Sequence, residues 1–183
     1  GSTKPRDIAG YNGIYYKYNT LRNEIVAAKV AYDADFIYFL AETKEKLTPA
    51  SDPAWMRLLL NTDASGKTPN WEGFTYMINR VSPRGDEAVI EKSTGGWNFE
   101  QVGTAKFSVQ GKMLQIAVPR SAIGLICNPL KFNFKWADNT WEPGAETDSG
   151  DILDFYRYGS VAPVGRFAFS FETEDTDCNC AQN

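Results

Sequence analysis

Histidine is absent from the chain. Without an imidazole, Ser-His-Asp and Cys-His catalysis, His-ligated zinc, HExxH metalloprotease chemistry and His-ligated haem are all excluded. What remains is chemistry on carboxylates, amides, hydroxyls and aromatic faces. Positive charge is also in short supply: 19 Lys+Arg against 23 Asp+Glu leave a net charge of -4. Nucleic-acid binding needs a basic footprint to displace phosphate counterions, and no Lys/Arg-rich stripe supplies one. No apolar run approaches the ~20 residues of a membrane span, so a spanning segment is not expected. No charged-then-apolar secretory leader opens the chain.

Cysteine is scarce too. Cys127 stands alone in an apolar stretch, while Cys178 and Cys180 lie in an acidic polar tail. A Cys-x-Cys pair is awkward to bridge to itself and three thiols make no paired framework, so cysteine counting does not decide the compartment. Gly1-Ser2 reads as a cloning remnant, and the chain as a domain excised from a longer exported protein. At ~150 residues per domain, 183 residues predict a single unit spanning 1–183, with an irregular N-terminal segment over 1–20 and a polar tail over 173–183.

What the chain does have is aromatics, which make up 14% of it. Large burial energies and a preference for strands place most of these rings in a β core. From residue 24 onward short β-type runs alternate with turn chemistry. The runs 36–41 (Phe-Ile-Tyr-Phe-Leu-Ala) and 55–60 (Trp-Met-Arg-Leu-Leu-Leu) are apolar on both faces, as central strands are. Others alternate with period two: Phe74, Tyr76 and Ile78 share a face, as do Leu114, Ile116 and Val118, then Phe132, Phe134 and Trp136, and then Phe167, Phe169 and Phe171. Asp63-Ala64-Ser65-Gly66, Thr94-Gly95-Gly96 and Gln110-Gly111-Lys112 are turn signals. The one helix-like piece is Pro119–Ile123. The pattern predicts an all-β, antiparallel, jelly-roll-like sandwich of roughly nine strands. Residues 138–151 form a polar loop of a length that is usually functional or mobile.

Several segments carry a family resemblance in order: Leu21-Arg22-Asn23-Glu24-Ile25, Ala31 through Phe39, Trp55-Met56-Arg57-Leu58 through Asn61-Thr62-Asp63, and Trp71-Glu72-Gly73-Phe74. They continue as Phe132 through Asn139, Asp154 through Gly159 and Ala162 through Phe167. Together they resemble the family 9 carbohydrate-binding modules and the related DOMON-like β-sandwich domains, which are often appended to exported glycan-degrading enzymes. The resemblance implies a sandwich that binds sugar without chemistry, sometimes with structural calcium. It implies two aromatics clamping a terminal sugar while Asn, Gln, Arg and Glu bind its hydroxyls. Asp154-Phe155-Tyr156 lies where one clamping aromatic belongs, with Tyr or Phe in place of the usual Trp. Asp138-Asn139 matches the region of a polar ligand, and Trp55 and Trp71 are the nearest candidates for the second clamp.

A sugar presents apolar C–H faces and polar rims, so its site needs a flat aromatic ring beside directional polar groups. Tyr156, Trp141, Asn139, Arg157, Asp138 and Trp71 are the residues selected on that basis, with Trp97 a weaker candidate. Asn61-x-Asp63-x-Ser65-Gly66 followed by Glu72 has the spacing of a twelve-residue calcium loop, although Pro69 interrupts it and strands flank it. Asp148, Asp151 and Asp154 form a second, less diagnostic oxygen set. The leading reading is a non-enzymatic accessory module, extracellular or periplasmic, whose partners are a glycan and the other domains of its own polypeptide. It requires no cofactor beyond a candidate structural calcium. A structural or protein-interaction sandwich without a sugar site is the competitor. A glycosidase built on Glu72, Glu142 or Asp154 ranks below both, because nothing in the pattern singles out a carboxyl with a raised pKa.

Overall fold

Strand formation follows the period-two pattern wherever one face meets the core. A computed structural model describes residues 2–5, 15–18 and 21–174. The elements are β1 (Ser2–Pro5), β2 (Tyr15–Tyr18), β3 (Ile25–Tyr32), β4 (Phe36–Thr43), β5 (Arg57–Asn61) and β6 (Tyr76–Ile78). They continue with β7 (Glu87–Gly95), β8 (Asn98–Gln110), β9 (Met113–Pro119), a 3-10 turn Arg120–Ile123, β10 (Lys131–Asp138), a one-turn helix α1 (Asp154–Arg157), β11 (Ser160–Ala162) and β12 (Phe169–Glu172). The chain is thus all-β and antiparallel, with more strands than the nine expected. The extra ones include the hairpin β1–β2, inside a segment expected to be irregular. The helical turn α1 falls within the Asp154-Phe155-Tyr156 stretch and was not anticipated.

Ten strands make one sheet in the order β11-β10-β5-β6-β7-β8-β9-β4-β3, with β12 also pairing β10. The sheet curls into a nearly closed barrel. Its two ends meet where the Ile25 N–H donates to Ser160 Oγ at 3.0 Å, and again where the Tyr32 and Phe171 rings pack edge to face. Turn residues do what their chemistry dictates. Asp33 Oδ1 accepts from the Asp35 and Phe36 N–H groups to close β3 onto β4, and Gly111 turns β8 into β9 at a positive φ.

Inside the curl, Ile37, Phe39, Leu58, Leu60, Ile78, Ile90, Leu114, Ile116, Val118, Phe132, Phe134 and Trp136 form one continuous core. Phe39 meets Phe132 and Phe134 edge to face, with centroids 5.6 and 5.4 Å away. Two residues depart from the expected faces. Phe74 precedes β6 and packs on the outside of the sheet, while Phe167 precedes β12 and is 74% exposed.

Asp138 pins the seam. Fully buried, its carboxylate accepts from Arg22 Nε (2.9 Å) and Nη2 (3.1 Å), Asn23 Nδ2 (3.0 Å) and the Met56 N–H (2.9 Å). Four donors from two distant segments offset the cost of burying the charge. Lys135 is handled differently. β11 and β12 pair with different stretches of β10, and the chain between them crosses over Lys135, whose ammonium donates to the carbonyls of Pro163, Gly165 (2.9 Å) and Phe167 (3.0 Å). Among the described residues no helix is long and apolar enough to cross a membrane.

Candidate functional site

The outer face of β10-β5-β6-β7 carries a second, smaller cluster. Arg57 and Leu59 of β5, Met77 of β6, Glu91 of β7, and Lys135 and Ala137 of β10 alternate with residues that point inward. This face is sealed mostly by segments outside the strands. Trp71 and Phe74 come from the β5–β6 connection, Trp97 from the β7–β8 turn with Phe99 just inside β8, and Ile152 and Phe155 from the region following β10.

The rings in this cluster touch closely. Trp71 lies 4.8 Å from Trp97 at 63° and 4.8 Å from Phe155 at 52°. A sugar held between two rings needs them ~7–8 Å apart, twice the ~3.5–4 Å contact distance. Trp71 and Trp97 therefore pack on each other and do not form a two-sided clamp. Beside them a cleft of about 170 Å³ opens, lined by Leu59, Trp71, Glu72, Phe155, Lys135 and Arg166 among others. Glu72 and Arg166 stand at its rim, 4.0 Å apart.

The charges beneath the rings are ordered. Arg80 forms a two-pronged pair with Glu91, Nε to Oε2 at 3.0 Å and Nη2 to Oε1 at 2.6 Å. Its guanidinium lies 5.2 Å over the Phe99 ring. Arg57, only 2% exposed, lies under Trp97 at 5.6 Å and donates through Nη2 to Asp148. Desolvation pulls the Arg57 pKa down, and the Asp148 carboxylate opposes that shift.

The residues selected from sequence divide between places. Asn139, Trp141 and Glu142 line a shallow notch of about 140 Å³ with Pro53 and Pro143–Ala145, so the loop Trp is half-buried against the sandwich edge. Trp71 is 4% exposed and belongs to the other cleft. Asp138 corrects its expected role: its oxygens are committed to four protein donors, and it has no surface to offer a sugar. Arg157 and Tyr156 lie on α1; Arg157 is partly exposed, and the Tyr156 side chain falls outside what the structure describes. Phe155, the middle residue of the stretch singled out for a clamp, is the one packed against Trp71.

The calcium-loop residues are engaged locally. Asp63 Oδ1 accepts from the Ser65 N–H (2.8 Å) and hydroxyl (2.5 Å), and Oδ2 from the Thr68 N–H (2.8 Å), which together hold its pKa well below the usual carboxylate range. Asn61 Oδ1 accepts from the Asp63 N–H, and Glu72 faces Arg166. Asn61, Asp63 and Ser65 thus make a self-capped turn with Glu72 outside it, and among the described residues no group of three acidic or cysteine side chains is placed to hold a metal ion.

Asp154 shifts the opposite way from Asp63. Desolvation first, then the charges of Asp151, Glu142 and Asp148, push its pKa up to about 6. Nearby, the Tyr158 hydroxyl donates to Glu142 Oε1 at 3.5 Å. Arg57 and Lys135 were not singled out from the sequence, and Asp148 entered only as a member of a candidate oxygen set with Asp151 and Asp154. The signal available was a cation in the middle of an apolar strand, at Arg57 in Trp55–Leu60 and at Lys135 in Phe132–Trp136. Cys127 is disulfide-bonded, and the chain's other cysteines, Cys178 and Cys180, lie outside the described residues. Compared with known protein families, curated proteins and solved structures, the chain gives no significant match.

Proposed function

We propose that the chain is a non-catalytic carbohydrate-binding accessory module of an exported glycan-processing protein. The reading rests on one observation, the cleft beside Trp71: an apolar lining of Trp71, Phe74, Phe155 and Leu59 beside a polar rim of Glu72 and Arg166. That is the composition a sugar's two kinds of surface require. The likeness to family 9 modules points the same way. The site moves, however, from the Trp141 loop to the outer sheet face, and it offers a one-sided platform. A disulfide at Cys127 suits an oxidising compartment. Affinity for a single sugar is expected to be weak, since few atoms engage, and an attached enzyme would gain chiefly in effective concentration.

A glycan array followed by calorimetric titration tests the proposal. Glu72→Ala and Arg166→Ala, both at exposed rim positions, should weaken any hit by about tenfold or more, the loss of one good polar contact, while Trp141→Ala should not. Absence of any glycan response at millimolar concentration would sink it. A second reading is favoured by the deep burial of Trp55, Trp71 and Trp136, and by the exposure of Val164 and Phe167 between β11 and β12: a structural module whose outer face docks a neighbouring domain. That reading requires no glycan response and predicts that Phe167→Ser abolishes domain docking.

A further inference from the structure

We infer that the outer face holds an anion-recognition site for a carboxylated sugar, and that the loop residue Asp148 fills it as an internal stand-in. The inference rests on the carbohydrate-binding reading and names the ligand class.

The observation behind it is the incomplete satisfaction of Arg57. This side chain is buried, yet Nε and Nη1 have no hydrogen-bond partner, and only Nη2 is engaged, by Asp148. Arg57 contrasts with Arg80 on the same face, whose fork is filled by both oxygens of Glu91. A guanidinium fork matches a carboxylate two-pronged, so a buried Arg served through one nitrogen has recognition capacity left over. Asn79, one residue past β6, donates through Nδ2 to the Met56 carbonyl and likewise keeps a buried Oδ1 without a partner, an acceptor suited to a sugar hydroxyl.

The covering segment is held by contacts of the kind a ligand would make. The Trp97 indole donates to Asp148 O at 3.1 Å, and the Trp71 indole to Gly150 O at 3.0 Å. Gly150, in left-handed geometry at φ 64, lies against Trp97: a Cβ there would stand 2.1 Å from the ring. A backbone pressed on an aromatic face, with two indole N–H groups and a guanidinium around it, occupies the place of a sugar ring bearing a carboxylate. Charge supports the same class. Arg80 is paired with Glu91 and Arg57 with Asp148, so withdrawing Asp148 with its loop leaves the buried Arg57 guanidinium without its counter-charge. Neutral sugars would gain nothing from that imbalance; a uronate would.

The test uses the whole chain, with oligogalacturonides as the acidic probe and cello-oligosaccharides as the neutral one, read by calorimetry and tryptophan emission. The acidic probe should bind at least about tenfold more tightly than the neutral one, one charge-assisted contact's worth, and should shift the emission as the segment leaves Trp97. Asp148→Asn should strengthen acidic binding by about the same factor and leave neutral binding unchanged. Arg57→Gln should erase the acidic preference; should that variant fail to fold, Asp148→Asn in the accessible loop still decides. Equal binding of both probes, or acidic affinity unmoved by Asp148→Asn, overturns the inference while leaving carbohydrate binding standing. No binding of either overturns both.

Discussion

The two faces of the sheet bury their residues by different means. The inner face is closed by the sheet itself, with strand packing against strand across the curl, and its members are apolar almost without exception. The outer face is closed by loops, and beneath them lie Arg57, Glu91 and Lys135, each less than 5% exposed. Apolar burial needs only exclusion of water, whereas a buried charge needs a specific partner supplied from elsewhere in the chain. The inner face therefore carries stability, and the outer face carries the groups able to exchange an internal partner for an external one.

The comparison is sharpest at its inner extreme. Trp136→Ala, deep in the inner core, should cost about 3–5 kcal/mol in urea unfolding; a cost below about 1 kcal/mol would mean that the inner face is not the stabilising one. Asp138→Ala should come next at about 3 kcal/mol, because it leaves Arg22, Asn23 and the Met56 N–H short of their acceptor. Gly150→Ala should cost less, about 1–2 kcal/mol, while shifting tryptophan emission, since the added methyl must lift the segment from Trp97. Such a result would show the outer cover moving without the core.

The smallest effect concerns pH. Asp154 has its pKa raised to about 6 in the folded state, so folding favours its protonated form. That stability is fully present below the ordinary aspartate range and is lost as pH rises through about 6. Asp154→Asn should therefore gain on the parent protein between pH 4 and pH 7, in paired melting curves; a constant difference would remove the raised pKa. In the same assay a chelator that leaves the parent's melting temperature unchanged would dispose of calcium at Asn61, Asp63, Ser65 and Glu72.

Legibility in the sequence followed the same division. Leu114, Ile116 and Val118, and likewise Phe132, Phe134 and Trp136, announce the inner face because a strand with one face on a core must alternate. Phe74 and Phe167 extended an alternation beyond the strand ends at Tyr76 and Phe169, where backbone pairing no longer enforces it. The hairpin at 2–5 and 15–18 lacked any apolar alternation that could reveal it. The outer site was harder to see, since the burial of Trp71 and Arg57 depends on segments some 80 to 90 residues away, at Gly150 and Asp148. No local period encodes that separation. The readable trace was the misfit itself, a cation inside an apolar run, at Arg57 and at Lys135.

The meeting of β3 with β11 and β12 has a consequence for the chain among its neighbours. An open sheet ends in two rows of unpaired amide and carbonyl groups, each a template on which another molecule can add a strand. Here the Ile25 amide is capped by Ser160 and the far end of β3 is roofed by the Tyr32–Phe171 contact, so each margin shields the other. A domain built in this way can be strung beside others at high local concentration with little risk of strand exchange between them.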